Sequence, residues 1–489
     1  MSMKNYLSEN IHSNARTKII CTMGPTSSST DKIQEMINAG MDAVRLNFSH
    51  NSHQWHKKMF KKVRAINDEI TIIFDLQGPK IRLGELKEPQ FLVRGETITL
   101  TTEEIIGDNK RVTVGLKNLP DTVQKGDLIY INDGIVGLEV KKIEDQDIKC
   151  EILSSGEIRS KKGVNVPNVD LNVPSLTKKD HNDLDFALQF EPDYIALSFV
   201  RSHKAILKLR EIITDANQKI PIISKIEHAF AVKNFDKIVK ETNAVMVACG
   251  DLGIETSVSR LPILQKRIIE KCNRLGKPVI TATQMLESMV QHPRPTRAEA
   301  SDVANAIYDG SDAVMLSAET AIGKYPVEAI RMMNEISRNV EKELHWKEFP
   351  DEIYSEENVI AENLATAAGL LVHKIPVKAI FAFTEGGFSA RLIAKHRPKT
   401  NILVVSHNKK IIRQLGIIWG SYPIFVDEYL NTDQMVVESV DIAKKRKYIS
   451  NEDTIVIVSG SILSPGKTNL LRAYKVNEIP SPEQFEAIS

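Results

Sequence analysis

Polar and charged side chains recur where short apolar segments of this chain end. One charged residue behind an apolar segment is ordinarily a solvated loop boundary. Repetition behind seven otherwise apolar segments instead predicts a site built from the segment ends, as in folds whose chemistry lies at the carboxyl ends of their strands. The residues are Arg45, Asn47 and Ser49; Asp75 and Gln77; Ser198; Lys225 and Glu227; Gly250 and Asp251; Thr283 and Gln284; and Ser317 and Glu319.

Two carboxylates and two cations in this set indicate the chemistry. Glu227 and Asp251 offer hard oxygen ligands, which in small number suit a Mg²⁺ ion that keeps waters and binds substrate oxygens. Lys225 and Glu227 are two residues apart, so on a strand they share a face. Arg45 and Lys225 beside such an ion would hold the oxygens of a phosphoryl group. The residues therefore indicate metal-assisted phosphoryl transfer.

Uncharged donors complete the set. Residues 250–253 predict a turn whose backbone N–H groups could receive a substrate carboxylate. Thr283 offers a hydroxyl that could relay a proton. No Ser-His-Asp or Cys-His arrangement stands out in the sequence, so the usual signature of serine or cysteine nucleophiles is not seen.

An alternation of strands and helices along the chain would bring these segment ends together. Helix candidates separate most of the apolar segments; in residues 28–40, Ser29 or Thr30 can cap the start and Gly40 can end the helix. Continuous apolar strands alternating with helices predict a parallel sheet, and eight units predict an α/β fold with a closed (β/α)8 TIM barrel. The predicted strands are 18–24, 43–49, 71–77, 194–200, 221–227, 244–251, 278–284 and 312–319.

Two stretches depart from this alternation. Strand-like runs separated by turns between residues 78 and 174 predict a small β-barrel lid domain inserted into the barrel. After an acidic linker at 345–358, three apolar runs alternate with helices and predict a C-terminal α/β domain. The predicted domains are an N-terminal extension at 1–14, the barrel at 15–77 and 175–347, the lid at 78–174, and a C-terminal regulatory domain at 348–489.

Composition limits the class of protein. The 489 residues carry a formal net charge of +1, which argues against a dedicated nucleic-acid binder. No apolar run approaches the roughly 18–20 residues of a membrane span, and the first residues lack the apolar core of a signal peptide. Four widely spaced cysteines are typical of reduced thiols. We therefore expect a cytoplasmic protein that binds neither nucleic acid nor membrane.

Eight segments, in order along the chain, resemble the signature segments of the pyruvate kinase family. The resemblance extends from about residue 15 to the C-terminus and implies a barrel, an inserted lid and a C-terminal α/β domain. It also implies phosphoryl transfer from phosphoenolpyruvate to ADP, giving pyruvate and ATP in the last step of glycolysis, by an allosteric homotetramer. The segments are RLNFSH, GPKIR, KKGVNVP, ISKIE, GDLGIE, ATQMLESM, RPTRAEASDVANAIYDG and MLSAETAIGKYP.

The resemblance implies roles for individual catalytic positions. Glu227 and Asp251 resemble the protein ligands of the catalytic divalent cation, Mg²⁺ or Mn²⁺. Lys225 resembles the lysine that neutralises the moving phosphoryl group and the developing enolate, and Arg45 resembles the phosphoryl-binding arginine. Removing charge repulsion around a phosphoryl group in this way is the main task of enzymes that transfer one.

Further positions match the substrate-binding groups of the family. The backbone near Gly250 and Asp251, with Thr283, resembles the site of the substrate carboxylate, and Thr283 also resembles the residue near the proton delivered to the enol. The nucleotide-side residues of the family are matched by His50, Arg82 and Lys162, and members of its surrounding hydrogen-bond shell by Ser317 and Glu319.

The stretch FDLQGPKIR departs from the usual family pattern. In most pyruvate kinases a K⁺ ion is held at positions matching Asn47, Ser49, Asp75 and the backbone of Leu76. Lys80 stands where a glutamate is usual. An ammonium has the charge of K⁺ and a comparable size, and it can donate to oxygens such as those of Asp75. We therefore predict that Lys80 substitutes for the ion and that K⁺ is not required.

The C-terminal domain contains one candidate effector site. Residues 460–468 resemble a P-loop, but the glycine spacing is one residue too long and a strand follows instead of a helix. By resemblance this loop borders an effector pocket. Its other wall would use N–H and hydroxyl groups to bind a phosphorylated effector, from Thr384, Gly386, Gly387 and Ser389.

Two other functions remain open from the sequence. Lys225 could be the Schiff-base nucleophile of a barrel aldolase, although Glu227 on the same face favours a charged lysine instead. Borohydride trapping with pyruvate distinguishes these possibilities. The chain could also be an inactive, metabolite-binding relative. Cys249 stands where the family usually has an arginine, and this replacement leaves the role of that arginine open.

Overall fold

Eight parallel strands form a closed barrel, as the sequence predicts. The structure is a computed structural model that describes residues 15–344, 358–427, 432–460 and 468–487. Each barrel strand lies beside the next one along the chain, and the eighth closes on the first. The strands are Lys18–Thr22, Ala43–Asn47, Thr71–Asp75, Tyr194–Leu197, Ile222–Ile226, Ala244–Ala248, Val279–Ala282 and Ala313–Leu316.

The strands are shorter than predicted, and the difference concerns the polar ends. The predicted strand 244–251 ends at Ala248, and the predicted strand 194–200 ends at Leu197. The backbone pairing therefore stops before Ser198, Glu227 and Asp251, which lie in the connections that follow. The apolar pattern predicted the strands correctly; Arg45, Asn47, Asp75 and Lys225 lie within them, whereas Ser198, Glu227 and Asp251 belong to loops and helix starts.

Helices follow most of the barrel strands. The helix Thr30–Ala39 begins after Ser29, whose hydroxyl accepts from the Lys32 N–H, and ends at Gly40 with φ 115°. Both of these boundary residues were predicted. The barrel helices are Thr30–Ala39, His53–Ile66, Lys178–Leu188, His203–Asp215, Ala229–Lys233, Phe235–Glu241, Cys249–Glu255, Leu261–Arg274, Arg297–Asp309, Ala318–Ala321 and Pro326–Glu343. Within the four described ranges, no helix is long and apolar enough to cross a bilayer.

The inserted segment forms β structure around its own apolar core. Its six-stranded sheet is bounded by Val164–Asn165 at one edge and Arg111–Thr113 at the other. An isolated β-bridge joins Arg82 to Gly163, beside the first edge, and another joins Leu83 to Val114, beside the second. The short segment that contains Arg82 and Leu83 therefore connects the two edges of the sheet. The strands, in sheet order, are Val164–Asn165, Leu128–Ile131, Val136–Glu144, Asp147–Ile152, Thr97–Thr101 and Arg111–Thr113; a second sheet pairs Gly156–Ile158 with Gln90–Leu92.

The C-terminal domain is a five-stranded sheet with helices. The sequence predicted three of its strands and the antiparallel strand Leu470–Lys475. It missed Ser421–Phe425, because Pro423 interrupts the apolar run; this strand lies at the sheet edge, where proline is tolerated. The sheet order is Ser421–Phe425, Asn401–Ser406, Val377–Phe383, Thr454–Ser459 and Leu470–Lys475, and the helices are Val359–Lys374, Phe388–Lys395, Lys409–Gln414, Thr432–Lys445 and Pro482–Glu486.

The chain divides into two compact units, each described by itself below. The first contains Met1–Phe74, Pro192–Ile195 and Ile269–Ser489, and the second contains Asp75–Glu191 and Ala196–Ile268. The predicted domain boundaries stay predictions. The predicted extension at 1–14, residues 345–357 of the predicted linker and residues 461–467 of the predicted effector loop lie outside the described residues.

A buried carboxylate joins the barrel to the C-terminal domain within the first unit. Asp193 is 0% exposed, accepts the Ile72 N–H at 2.7 Å and pairs with Arg64. Arg413 of the C-terminal domain donates to it through Nε at 3.2 Å. Burial raises the pKa of Asp193, and Arg64 opposes that rise. The carboxylate is therefore held in its buried position by charges from two domains.

We expect Asp193→Ala to destabilise the protein by about 3–5 kcal/mol, because it leaves two guanidinium groups without their shared anion. Denaturant unfolding measures the loss. Glu35→Ala is the matched control, since Glu35 is an exposed partner of Lys32 and its loss should cost about 0–1 kcal/mol. Equal losses in both variants would contradict the role given to Asp193.

Candidate active site

Lys225 lies at the centre of a buried polar cluster in the second unit. Its ammonium donates to Ser198 Oγ at 2.8 Å and pairs with Glu227 Oε1 at 3.0 Å and Asp75 Oδ2 at 3.3 Å. Ser198 also donates to Asp75 Oδ1 at 3.3 Å. An ammonium has three protons, and three acceptors surround this one. The geometry therefore favours a charged lysine that is fixed in place.

Glu227 is a buried anion of the cluster with contacts to both of its oxygens. It is 2% exposed, and its second oxygen accepts the Phe199 N–H at 2.7 Å. Burial raises the pKa of Glu227, Lys225 opposes this effect, and the nearby carboxylates Asp251 and Asp75 add to it. Phe199 has φ 51°, an unusual backbone conformation for a bulky residue, and it is this conformation that supports the N–H donor.

Asp251 lies in a helix, where the sequence predicted a turn. Residues Cys249–Glu255 form one short helix directly after the strand Ala244–Ala248, so Gly250 and Asp251 occupy its first turn. Cys249 donates its thiol to Gln265 Oε1 at 3.1 Å.

Lys80 contacts Asp251. The ammonium of Lys80 lies 3.2 Å from Asp251 Oδ1 and 5.9 Å from the centre of the Phe199 ring. The oxygens of Asp75, predicted as an example of acceptors for Lys80, accept instead from Lys225 and Ser198. Lys80 is therefore a fixed cation of this cluster, bound to one of the two predicted metal ligands.

The inserted domain also contacts the far end of the helix Cys249–Glu255. Asn165 donates to Glu255 Oε1 at 2.9 Å in a buried contact. His228 Nε2 lies 3.3 Å from Glu255 Oε2, and burial lowers the pKa of His228 to about 4, so the ring is neutral. Its Nδ1 accepts the Phe230 N–H at 3.1 Å, which leaves the ring proton on Nε2, facing Glu255.

The predicted nucleotide-side residues of the inserted domain are close neighbours in the fold. Arg82 bridges to Gly163, the residue after Lys162, and its Nη1 donates to the Lys161 carbonyl at 3.0 Å. A Cβ on Gly163 would lie 3.0 Å from Lys80 Cε, so the lysine stem passes directly over this glycine. Arg82, Lys162 and Lys80 thus form one basic edge of the domain.

Arg45, Asn47, Ser49 and His50 belong to the first unit. Arg45 is buried and donates from Nη1 to Thr22 Oγ1 at 3.0 Å. Asn47 Oδ1 accepts the Ser49 N–H at 3.0 Å, and the His50 carbonyl contacts His56 Nε2 at 2.9 Å. The connection after this barrel strand is therefore held in shape by its own side chains.

Two strand ends in the first unit carry residues that are held in unusual or fully buried positions. Thr283 has φ 73°, a strained conformation for a β-branched residue, and its hydroxyl donates to the Ala282 carbonyl at 2.6 Å. Glu319 is fully buried and accepts the N–H groups of Leu286 at 3.0 Å and Ser317 at 2.7 Å. Glu319 therefore fixes the connections that follow two strands, in keeping with its predicted place in a supporting shell.

A divalent cation fits the acidic groups of the second unit. Among the described residues, no group of three or more His, Cys, Asp and Glu side chains forms a complete metal centre. Mg²⁺ needs no such cage, because it commonly takes one or two carboxylates and completes its shell with water and substrate oxygens. Glu227 and Asp251, which interact electrostatically and face two ammonium groups, are suitable ligands for an ion bound in this way.

The predicted effector residues begin at the C-terminal end of the strand Val377–Phe383. Gly387 has φ 72° and precedes the helix Phe388–Lys395, and the Gly386 carbonyl accepts from Arg391 at 3.2 Å. Ser389 is buried, and its hydroxyl lies 2.5 Å from that of Thr468. The opposite wall of the predicted pocket, at 461–467, lies outside the described residues.

Three contributors to this site received no role from the sequence. Ser198 was recognised only as a strand end, and Phe199 and Glu255 were not singled out. Glu255 ends the segment GDLGIE and Asn165 lies within KKGVNVP, so both lie in recognised segments. Their contact joins residues 90 positions apart, and no local pattern predicts such a contact.

Comparison with known proteins gives consistent matches over nearly the whole chain. The family model described as pyruvate kinase, barrel domain, matches residues 14–330, and that of the pyruvate kinase alpha/beta domain matches 362–474. The pyruvate kinase of Clostridium acetobutylicum is 40% identical over 474 residues, covering 94% of this chain and 99% of that protein. A pyruvate kinase of Staphylococcus epidermidis is 40% identical over 475 residues, covering 95% of this chain and 81% of that protein.

The buried Glu255 should make stability depend on pH. Burial raises the pKa of Glu255 to about 7 from an ordinary value of 4.5, so the folded protein holds a proton that the unfolded chain releases. The contribution of Glu255 to stability should fall as pH rises between these values, by up to about 1.4 kcal/mol per pH unit, and is opposite in sign to that of the neighbouring His228. We expect Glu255→Gln, which cannot titrate, to gain stability relative to the unmutated protein from pH 5 to pH 8. Parallel pH profiles in thermal unfolding would contradict this.

Proposed function

This chain belongs to the pyruvate kinase family, and from that membership we propose that it transfers the phosphoryl group of phosphoenolpyruvate to ADP, giving pyruvate and ATP. The observation that supports the proposal best is the fixed ammonium of Lys225 between Glu227 and Asp75. A preorganised cation in a water-poor site stabilises charge as it develops, at no cost of reorientation during the reaction. Phosphoryl transfer depends mainly on this kind of stabilisation.

The proposed roles follow the groups that the structure describes. Lys225 offsets the negative charge of the transferring phosphoryl group and of the enolate that its departure leaves. Arg45 binds phosphoryl oxygens, and Gly250 and Asp251, with Thr283, receive the substrate carboxylate. Thr283 also lies beside the carbon that accepts a proton. For the nucleotide side we propose His50, Arg82 and Lys162.

We also propose a divalent cation, Mg²⁺ or Mn²⁺, at Glu227 and Asp251. When bound, such an ion withdraws charge from phosphoryl and enolate oxygens. The protein's own contribution is to hold both carboxylates in place: the Phe199 N–H and Lys225 fix Glu227, and Lys80 fixes Asp251. Both carboxylates are therefore oriented before any ion arrives.

The geometry bears on the Schiff-base alternative. A lysine that attacks a carbonyl must be neutral and needs an apolar pocket to lower its pKa. Lys225 instead faces two carboxylates within 3.3 Å, which stabilise its charged form. This arrangement supports the electrostatic role over the nucleophilic one.

Wider attributes follow as proposals from the family and the sequence. We propose that the enzyme performs the last step of glycolysis in the cytoplasm as a homotetramer. We further propose that a phosphorylated effector binds at Thr384, Gly386, Gly387 and Ser389. The positive φ of Gly387 at the start of a helix supports this last proposal, because it allows backbone N–H groups to converge on an anion.

A coupled assay for pyruvate formation tests the main proposal. We expect Lys225→Met to lower turnover by about 10²–10³-fold or more, since one preorganised electrostatic group is worth that much. Lys225→Arg should retain more activity, because it keeps the charge but not the position. Removal of divalent cations with a chelator should abolish turnover reversibly.

Circular dichroism distinguishes lost chemistry from lost folding, because Lys225→Met leaves two buried carboxylates without their cation. A folded Lys225→Met protein with turnover within tenfold of the unmutated enzyme would refute the assigned role.

Lys80 supports the proposal that K⁺ is not required. Its ammonium is already fixed 3.2 Å from Asp251, so a monovalent positive charge stands in the cluster without a bound ion. A K⁺ ion beside it would add like-charge repulsion in a confined space. The stem of Lys80 crosses Gly163, where a Cβ would lie 3.0 Å from Lys80 Cε and would have to displace the lysine stem. This fit suggests that Lys80 has a fixed place in the fold.

We expect full activity in buffer that contains Mg²⁺ but neither K⁺ nor Na⁺. Lys80→Glu should lower that activity and create a requirement for K⁺, because it removes the resident cation and adds a carboxylate. The control is Lys87→Glu, an equal charge change at an exposed position of the inserted domain. Strong activation of the unmutated enzyme by K⁺ would rule out the substitution.

A further inference from the structure

A basic cavity lies within the first unit and shares no lining residue with the sites proposed above. Its volume is about 510 Å³, and five cationic side chains line it: Arg16, Arg338, Lys342, Lys378 and Lys399. Among the residues that the structure describes, Glu341 is the one acidic residue in this lining. The lining therefore has a formal charge of +4, whereas the whole chain has +1. Charge of one sign is concentrated here.

The cavity lies between the barrel and the base of the C-terminal sheet. Arg338 and Lys342 are in the last two turns of the helix Pro326–Glu343, and Arg16 precedes the first barrel strand. Lys378 is the second residue of the strand Val377–Phe383. The predicted effector residues follow the other end of that seven-residue strand, about 20 Å away at the usual rise per residue. The two sites are therefore distinct.

The single carboxylate does not neutralise these cations. Glu341 Oε1 accepts the Thr17 N–H at 2.7 Å and its hydroxyl at 2.9 Å, and Oε2 accepts the Arg16 N–H at 2.9 Å. Its closest guanidinium contact, to Arg16 Nη1, is a long 3.9 Å. Glu341 thus anchors the chain before the first strand and has little capacity left for the surrounding cations.

Within the described part of the chain, four of the five cationic heads have no acidic partner, and Arg16 has only the long contact to Glu341. Arg338, Lys378 and Lys399 have no side-chain ion pair or hydrogen bond there, and Lys342 reaches only Asn339 of its own helix at 3.4 Å. Arg16 donates from Nη2 to the Lys399 carbonyl at 2.6 Å, while its buried Nε has no hydrogen-bond partner. A buried donor without an acceptor is costly, and a ligand oxygen would satisfy it.

The uncharged residues of the lining can contact the uncharged part of a small molecule. Tyr448 and Val377, both buried, provide an aromatic and an aliphatic surface, and the half-buried Asn401 adds an amide. The volume lies within the range of about 300–1,000 Å³ that is usual for small-molecule sites. An apolar floor surrounded by cations suits a compact organic body that carries several negative charges.

We propose that this cavity binds a small phosphorylated metabolite with two or more negative charges. Phosphate oxygens accept from several guanidinium and ammonium groups at once, and a multiply charged anion offsets the mutual repulsion of the five cations. Because the lining comes from both the barrel and the C-terminal domain, the ligand joins the two and stabilises their contact. This proposal does not depend on the proposed catalytic activity.

Calorimetric titration with inorganic pyrophosphate, in buffer without divalent cations, tests the site. We expect Lys378→Gln/Lys399→Gln to weaken binding by about tenfold or more, because each lysine contributes a charge-assisted contact. The matched control is Lys57→Gln/Lys58→Gln, which removes the same charge from an exposed helix of the same unit and should change affinity by less than about twofold.

Two further measurements identify where the pyrophosphate binds. Binding should persist in Lys225→Met, whose altered residue lies in the catalytic cluster, and in Thr384→Ala, whose altered residue lies in the predicted effector site. Pyrophosphate should also raise the thermal midpoint of the unmutated enzyme and of the control variant, but not that of Lys378→Gln/Lys399→Gln. Equal weakening in both double variants, or loss of binding in Lys225→Met or Thr384→Ala alone, would overturn the proposal.

Discussion

The ammonium of Lys225 is the constraint on which the proposed active site depends. Asp75 and Glu227 are almost completely buried, and two buried carboxylates need a compensating charge to remain ionised. Lys225 provides it from the strand Ile222–Ile226, which places its side chain on the same face as Glu227. The same ammonium that stabilises the buried acidic cluster is the group that we propose to face a phosphoryl group. Stability and proposed catalysis rest on one electrostatic balance.

The short helix Cys249–Glu255 connects this balance to the inserted domain. Asp251 in its first turn binds Lys80, and Glu255 at its end accepts from Asn165. Between them, the side chain of Ile254 lies beside Gly134, where a Cβ would be 3.7 Å away. Three segments of the inserted domain therefore meet one helix within the second unit. A change in the charge of that helix would therefore alter the electrostatic interactions of the proposed metal ligands and of the inserted domain.

Charge is distributed unevenly over the molecule. Three carboxylates, Asp75, Glu227 and Asp251, gather at strand ends of the second unit and are held by two ammonium groups. In the first unit, five cations surround a cavity whose one described carboxylate, Glu341, already accepts from Arg16 and Thr17. A nearly neutral chain can therefore carry both of the proposed sites, one for a divalent cation and one for a polyanion, because the local arrangement of charges rather than the net charge sets the electrostatic field at each.

The sequence by itself determined the architecture and most of the polar strand ends. Apolar runs of strand length alternating with capped helices specify a barrel through local periodicity, and the two-residue spacing of Lys225 and Glu227 placed them on one face. Tertiary structure decided the partners: Lys80 meets Asp251, 171 positions away, and Asn165 meets Glu255. It also gathered residues from Arg16 to Tyr448 around one cavity. Periodicity reports which way a side chain faces on its own element, whereas contacts between distant segments arise only when those elements pack.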